Sequence, residues 1–178
     1  MRRAWALLLV SVAAGCSSDE PPAEPSRLLA ASETSAMPMI TLADIAARLR
    51  RPTAKATLIV LWRAGTEAES PCLAAANDLA ARHHEAGLEV LAVNIDMPDD
   101  VRGKALPLLG KLGTLTMKAH AYQDDVMGLG AMLDYTWGGH TPAAYLYDRR
   151  GKQLYKGRGG DAVAEAGARV PAALAARR

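Results

Sequence analysis

The chain has 178 residues, half of them hydrophobic, with 21 basic and 19 acidic side chains and two cysteines. That length suits a single compact domain. The near-balanced charge leaves no basic patch that would argue for nucleic acid, and nothing in the composition implies a cofactor.

The N-terminus reads as an export signal. Arg2 and Arg3 form a short basic region, and Ala4 to Gly15 is apolar or small except for Ser11. The stretch is too short to span a bilayer and has a secretory layout. Its ending, Val12-Ala13-Ala14-Gly15-Cys16, resembles the lipobox of bacterial lipoproteins, in which the signal is cut before the cysteine and the sulfur is acylated. That resemblance implies removal of residues 1–15, a lipid on Cys16 and a membrane held through it. It leaves a neutral mature chain of nineteen basic against nineteen acidic residues. Ser17, rather than Asp, follows Cys16, so the lipoprotein sorting pattern points to the periplasmic face of the outer membrane of a Gram-negative host. Residues 16–40 are expected to be a tether, polar and proline-rich through Ser26. Leu28, Leu29, Met37, Met39 and Ile40 offer its end apolar side chains for docking. Residues 41–178 form the expected domain.

Within that domain, Thr41 suits an N-cap and the apolar spacing over 42–49 predicts a helix that Pro52 ends. Ala56-Thr57-Leu58-Ile59-Val60-Leu61-Trp62 is a continuous apolar run, the pattern of a strand buried on both faces. Ser70 suits an N-cap and Pro71 the first helical position, with a helix from Cys72 to about Glu85 that turns Leu73, Ala76, Leu79, Ala80 and His83 inward. Leu88 to Asp96 predicts a second buried strand, giving a βαβ unit with right-handed crossover. Helices are expected over 99–112 and 124–133, each weakened by glycine or proline, with a short extended piece within 115–122. Ala143 to Asp148 and Lys152 to Lys156 flank Arg149-Arg150-Gly151 as a hairpin. An Ala-rich helix over 161–176 closes the chain, with Pro171 either interrupting or restarting it.

The order βαβ, a helical middle, then ββα is that of an α/β thioredoxin fold, a central mixed β-sheet flanked by helices. Three segments carry a closer resemblance: Leu58-Ile59-Val60-Leu61-Trp62, Gly87 to Asp96, and Thr141-Pro142-Ala143-Ala144-Tyr145-Leu146-Tyr147-Asp148-Arg149-Arg150-Gly151. Over residues 41 to about 160 the chain resembles the TlpA/ResA type of membrane-attached extracytoplasmic thiol–disulfide oxidoreductase. The resemblance implies that Pro142 is a cis proline facing the redox motif, and that Trp62, Thr141 and Pro142 bind a partner strand. The motif itself departs from the family pattern Trp-Cys-x-x-Cys. Trp62 lies ten residues before Cys72, three more than the family spacing. The second tryptophan and the first cysteine are absent. Aligning Pro71-Cys72 on the family's Pro-Cys ending makes Cys72 the resolving cysteine and puts Glu69 in place of the nucleophile.

A dithiol resolves its own mixed disulfide, whereas a lone thiol completes half of that cycle. Cys72 therefore offers at most single-thiol chemistry toward a protein thiol or disulfide partner. The competing reading is a redox-inactive binding module for an envelope protein. Cys72 is either a small buried residue with a raised pKa, or a thiol activated by the helix N-terminus against the opposition of Glu67 and Glu69. Composition favours a surface position for Glu69. A one-cysteine peroxidase would have Thr or Ser at 69 and Pro at 65, where Glu69 and Gly65 stand. His140 is expected near Cys72, and the two with Met127 or Met132 form a candidate copper(I) set, although the cysteine pair of copper carriers is missing. His83 and His84 adjoin on one helix and diverge by about 100°, too far to share a metal. Trp137 is expected to pack as a lid in a tight Gly138-Gly139 loop.

Overall fold

The computed structural model describes residues 37–50 and 52–176. The signal segment, Cys16 with its expected lipid, and most of the tether lie outside the described residues.

Six strands form one sheet in the order β1-β4-β3-β2-β5-β6. The centre is β2 (Ala56–Trp62), whose residues are all buried, as its unbroken apolar run requires. It pairs parallel with β3 (Leu88–Asn94) and antiparallel with β5 (Ala143–Asp148). β4 (Lys118–Tyr122) extends the parallel side, and β6 (Gln153–Arg158) is the antiparallel edge. The tether boundary moves back. Met37 is buried, and β1 (Met39–Ile40) pairs with β4, so the ordered domain includes residues assigned to the tether.

Alternation along β2 divides the core. Leu58, Val60 and Trp62 face α2 (Glu69–His83) and the C-terminal helices α6 (Ala162–Gly167) and α7 (Val170–Ala175). Ile59 and Leu61 face α1 (Leu42–Arg50) and α5 (Val126–Leu133). Thr41 caps α1 as expected. Its hydroxyl accepts from the Asp44 N–H at 3.1 Å, while the Asp44 carboxylate accepts from the Thr41 N–H at 3.0 Å, a reciprocal capping box. Pro171 sits in the first turn of α7 and so restarts the terminal helix rather than bending one long one.

The middle segment is helical from 98 to 111 but not uniformly α. α3 (Pro98–Asp100) and α4 (Leu106–Lys111) are joined by a π-helical turn (Val101–Ala105) in which the Leu106 N–H reaches the Val101 carbonyl. Pro107 has no N–H for the Gly103 carbonyl, and in an α-helix its ring would press on that carbonyl. A widened turn before it relieves both problems. The closing hairpin turns at Gly151 (φ +72°), where a side chain would run into the Leu49 carbonyl. Asp148 braces the turn by accepting from the N–H groups of Arg150 (2.8 Å) and Lys152 (2.9 Å).

Candidate functional site

The candidate site lies where β2 ends, α2 begins and β5 is entered. Helix α2 starts three residues earlier than expected, at Glu69, after Ala68 and without a side-chain cap. Ser70 is therefore inside the first turn. Pro71 is tolerated there because first-turn N–H groups have no intrahelical partner. The inward row is largely as expected: Leu73, Ala76, Leu79 and Ala80 are buried, while His83 is half-buried at the helix end and His84 is exposed.

The earlier start turns Glu69 inward. It is 0% exposed, against the surface position that its residue type favours. Neither carboxyl oxygen has a hydrogen-bond partner of good geometry. Burial pushes its pKa up, and the neighbouring Asp96 adds to this. The Thr141 hydroxyl, the Arg63 N–H and Thr66 lie close enough to pull the other way without cancelling it. Cys72, one turn on, is 2% exposed and packed among the α2-side core residues. Burial, with Glu69 beside it, pushes its thiol up to about 12. Desolvation and the neighbouring acid both oppose the activation that a helix N-terminus can give a sulfur.

The structure thus brings Glu69, Cys72 and Thr141 together, and the Thr141–Pro142 peptide bond is cis. Pro142 is buried and its carbonyl accepts from the Gly159 N–H at 2.8 Å. Thr141 is half-buried. Among the described residues, no hydrogen-bond partner is found for its main-chain N–H or C=O. Trp62, expected to contact a partner strand, presents no surface to one. It is fully enclosed under the site, and its indole N–H is unpartnered. The copper(I) set is not assembled: Cys72 packs on the α2 face, Met132 on the α5 face, and Met127 is exposed. Among the described residues no cluster of three or more His, Cys, Asp or Glu side chains is placed to hold a metal ion.

Two supports went unread in the sequence. Asp96 accepts from the Ala64 N–H at 2.6 Å and from the buried Asn94 amide at 2.8 Å, tying the loop after β2 to the end of β3. Asn94 and Asp96, two polar residues closing an apolar strand, were the available signal. The second support is Asp134. It accepts from Thr136, Lys156 and Arg158 and fixes the start of the loop that leads to Thr141. Further along, Trp137 is buried as expected and its indole donates to the His140 carbonyl at 2.6 Å. His140 itself is exposed.

No protein-family model matches the chain, and no curated protein matches it. Solved structures do. One is a thioredoxin-like protein in its oxidised form, at TM-score 0.55 and 22% identity over 68% of this chain and 79% of that one. A hypothetical protein from Sinorhizobium meliloti matches at TM-score 0.54 and 20% identity, over 72% and 73% of the two chains. A secreted Mycobacterium tuberculosis disulfide oxidoreductase, described as homologous to E. coli DsbE, matches at 0.51 and 16%, over 66% and 81%. At these identities the likeness is one of architecture, and with the strand order and helix placement it establishes that this chain adopts the thioredoxin fold.

Proposed function

We propose that this chain is a lipid-anchored extracytoplasmic protein of the thioredoxin-like oxidoreductase lineage that works as a binding module for an extended polypeptide of the cell envelope. The observation that carries this reading is the closed thiol: Cys72 is enclosed beside a buried carboxyl and its pKa is pushed up to about 12. Such a sulfur is a poor nucleophile at neutral pH. The free main-chain N–H and C=O of Thr141 offer an extended strand its hydrogen bonds, the mode of strand addition. The anchoring rests on the likeness of Val12 to Cys16 to a lipobox.

The second reading, mixed-disulfide capture by Cys72 with Thr141 and Pro142 holding the partner, draws support from the adjacency of Thr141 to the turn carrying the thiol. One experiment separates the two. Binding of a fluorescent, carboxymethylated unfolded polypeptide is measured for the full chain and for Cys72→Ala, with and without dithiothreitol. Insulin reduction is followed in parallel. A binding module gives equal affinities for both proteins, no effect of reductant and no insulin turnover. Insulin reduction by the full chain above the reagent background would sink the redox-inactive reading. So would trapping of an oxidised polypeptide probe that vanishes in Cys72→Ala.

A further inference from the structure

Among the described residues, no carboxyl group other than that of Glu69 is buried without a hydrogen-bond partner. Contrast Asp134, also buried, which is met by two hydroxyl or amide donors and two cations. The groups facing Glu69 are few. Asp96 bears on it from the end of β3 as a like charge, Thr141 from the entry to β5, Cys72 from its own helix, and the Arg63 N–H and Thr66 from the loop above. No cation is among them.

The cover over this carboxyl is thin. Arg63, Gly65, Thr66 and Glu67 are exposed, and only Ala64 is buried as an anchor. The loop is held by the short bond from the Ala64 N–H to Asp96 and by two long ones of 3.3 Å, from the Glu69 N–H to the Thr66 carbonyl and from the Cys72 N–H to the Ala68 carbonyl. A Cβ placed on Gly65 meets nothing within 4 Å, so open space lies beside the loop at that residue.

We propose that the 63–68 loop is a lid over Glu69 and Cys72, and that a proton on the Glu69 carboxyl keeps it shut. A protonated carboxyl is tolerated in the enclosed position. A carboxylate there has one like charge beside it, no cation and no donor in good hydrogen-bond geometry, and lifting the loop relieves it by letting water enter. Ala64 of the loop belongs to the same buried cluster as Cys72, three residues along the helix from Glu69, so lifting the loop also removes cover from the thiol. The raised pKa of the enclosed acid agrees with this coupling. The lid holds whether or not a polypeptide binds at Thr141, so it stands or falls apart from the proposed function.

Linkage sets the expected size. Between the ordinary glutamate pKa of about 4.3 and the higher value of the closed form, the open fraction rises about tenfold per pH unit, and it is flat on either side. The test labels the full chain with iodoacetamide from pH 4 to 9, reading modification of the Cys72 peptide by mass spectrometry. Dividing by the rate in denaturant removes the pH dependence of the thiol itself. The normalised rate should climb with that slope in the wild type and become pH-independent in Glu69→Gln. Hydrogen exchange, corrected for intrinsic rates, should show amides of 64–72 opening with pH while those of β2 stay protected. A flat wild-type profile, an equal slope in Glu69→Gln, or opening of the loop and β2 together would each overturn the lid; the exchange result decides even if the variant fails to fold.

Discussion

The Asp134 network makes a quantitative prediction about what orders the loop before Thr141. The Asp134 side chain is 2% exposed and accepts from the Thr136 N–H (3.1 Å), the Thr136 hydroxyl (2.7 Å), Lys156 (2.9 Å) and Arg158 (3.0 Å). Substituting Asp134→Asn preserves shape and leaves one acceptor for Thr136, but turns the other oxygen into a donor facing Arg158. Hydrogen bonds to charged groups contribute about 1.5–3 kcal/mol each. The two cations are 47% and 36% exposed and regain water when the carboxylate is lost, which discounts that figure. A cost of about 2 kcal/mol at pH 7 is expected after that discount.

The pH dependence has a definite sign. Burial works to raise the Asp134 pKa, but the bonds from Thr136, Lys156 and Arg158 outweigh it and hold the group well below the ordinary carboxylate range. The unfolded chain takes up the proton first. The stabilisation is therefore complete above the unfolded value of about 3.9 and is lost as pH falls toward the folded value, so at pH 3 the cost of Asp134→Asn should shrink by about 1 kcal/mol. Urea unfolding of both proteins at pH 7 and pH 3 gives the two differences. A cost below about 0.5 kcal/mol at pH 7, the size of an ordinary surface change, or an unchanged cost at pH 3, would refute the reasoning.

Further substitutions probe the site and its supports. Gly130→Ala puts a Cβ 2.7 Å from the Trp137 ring, which its bond to His140 holds in place, and should cost about 1–3 kcal/mol in thermal unfolding. Gly128→Ala, whose Cβ meets ordinary contacts of 3.6 and 3.7 Å, is the neutral or stabilising control. Cys72→Ser, which buries a hydroxyl among apolar neighbours, should destabilise by about 1–3 kcal/mol and more than Cys72→Ala; the reverse order in urea would contradict the enclosed thiol. Glu69→Met should stabilise the protein by about 1–3 kcal/mol at pH 8. Because the folded pKa of this acid is raised, its penalty grows as pH climbs from the unfolded value through the folded one, so the gain should fade toward pH 4, and a pH-independent gain would count against it. Glu69→Cys places two thiols at i and i+3 in an enclosed turn and should gain no insulin-reducing activity while folded; turnover would mean that the site is open.

The parts of the fold legible in the sequence are those in which the pattern is local and long. The run Ala56 to Trp62 could be buried only as a central strand, and Thr41 with Asp44 marks a helix start within four residues. The cis proline came from resemblance rather than from pattern. What escaped depends on distant partners. β1 is two residues long and is a strand only because β4, some 80 residues on, pairs with it. Asp134 finds Lys156 and Arg158 across 22 and 24 residues. Glu69 was misjudged because its residue type speaks for water, while its burial is decided by where α2 begins and how the preceding loop folds back.

That loop is where this chain parts from the resemblance it otherwise keeps. The strand entering the site, the cis proline and the hairpin are in place, so the thioredoxin-fold framework around the site is intact. A working pair needs its first thiol open to a partner and its pKa lowered. Here Glu69, three residues before Cys72, carries a carboxyl group that is fully enclosed and disfavours a thiolate next to it. The chain leaves Trp62, ties down at Ala64 through Asp96 and returns over Glu69 before the helix starts. Under the proposed lid, access to Cys72 is set by the protonation of Glu69.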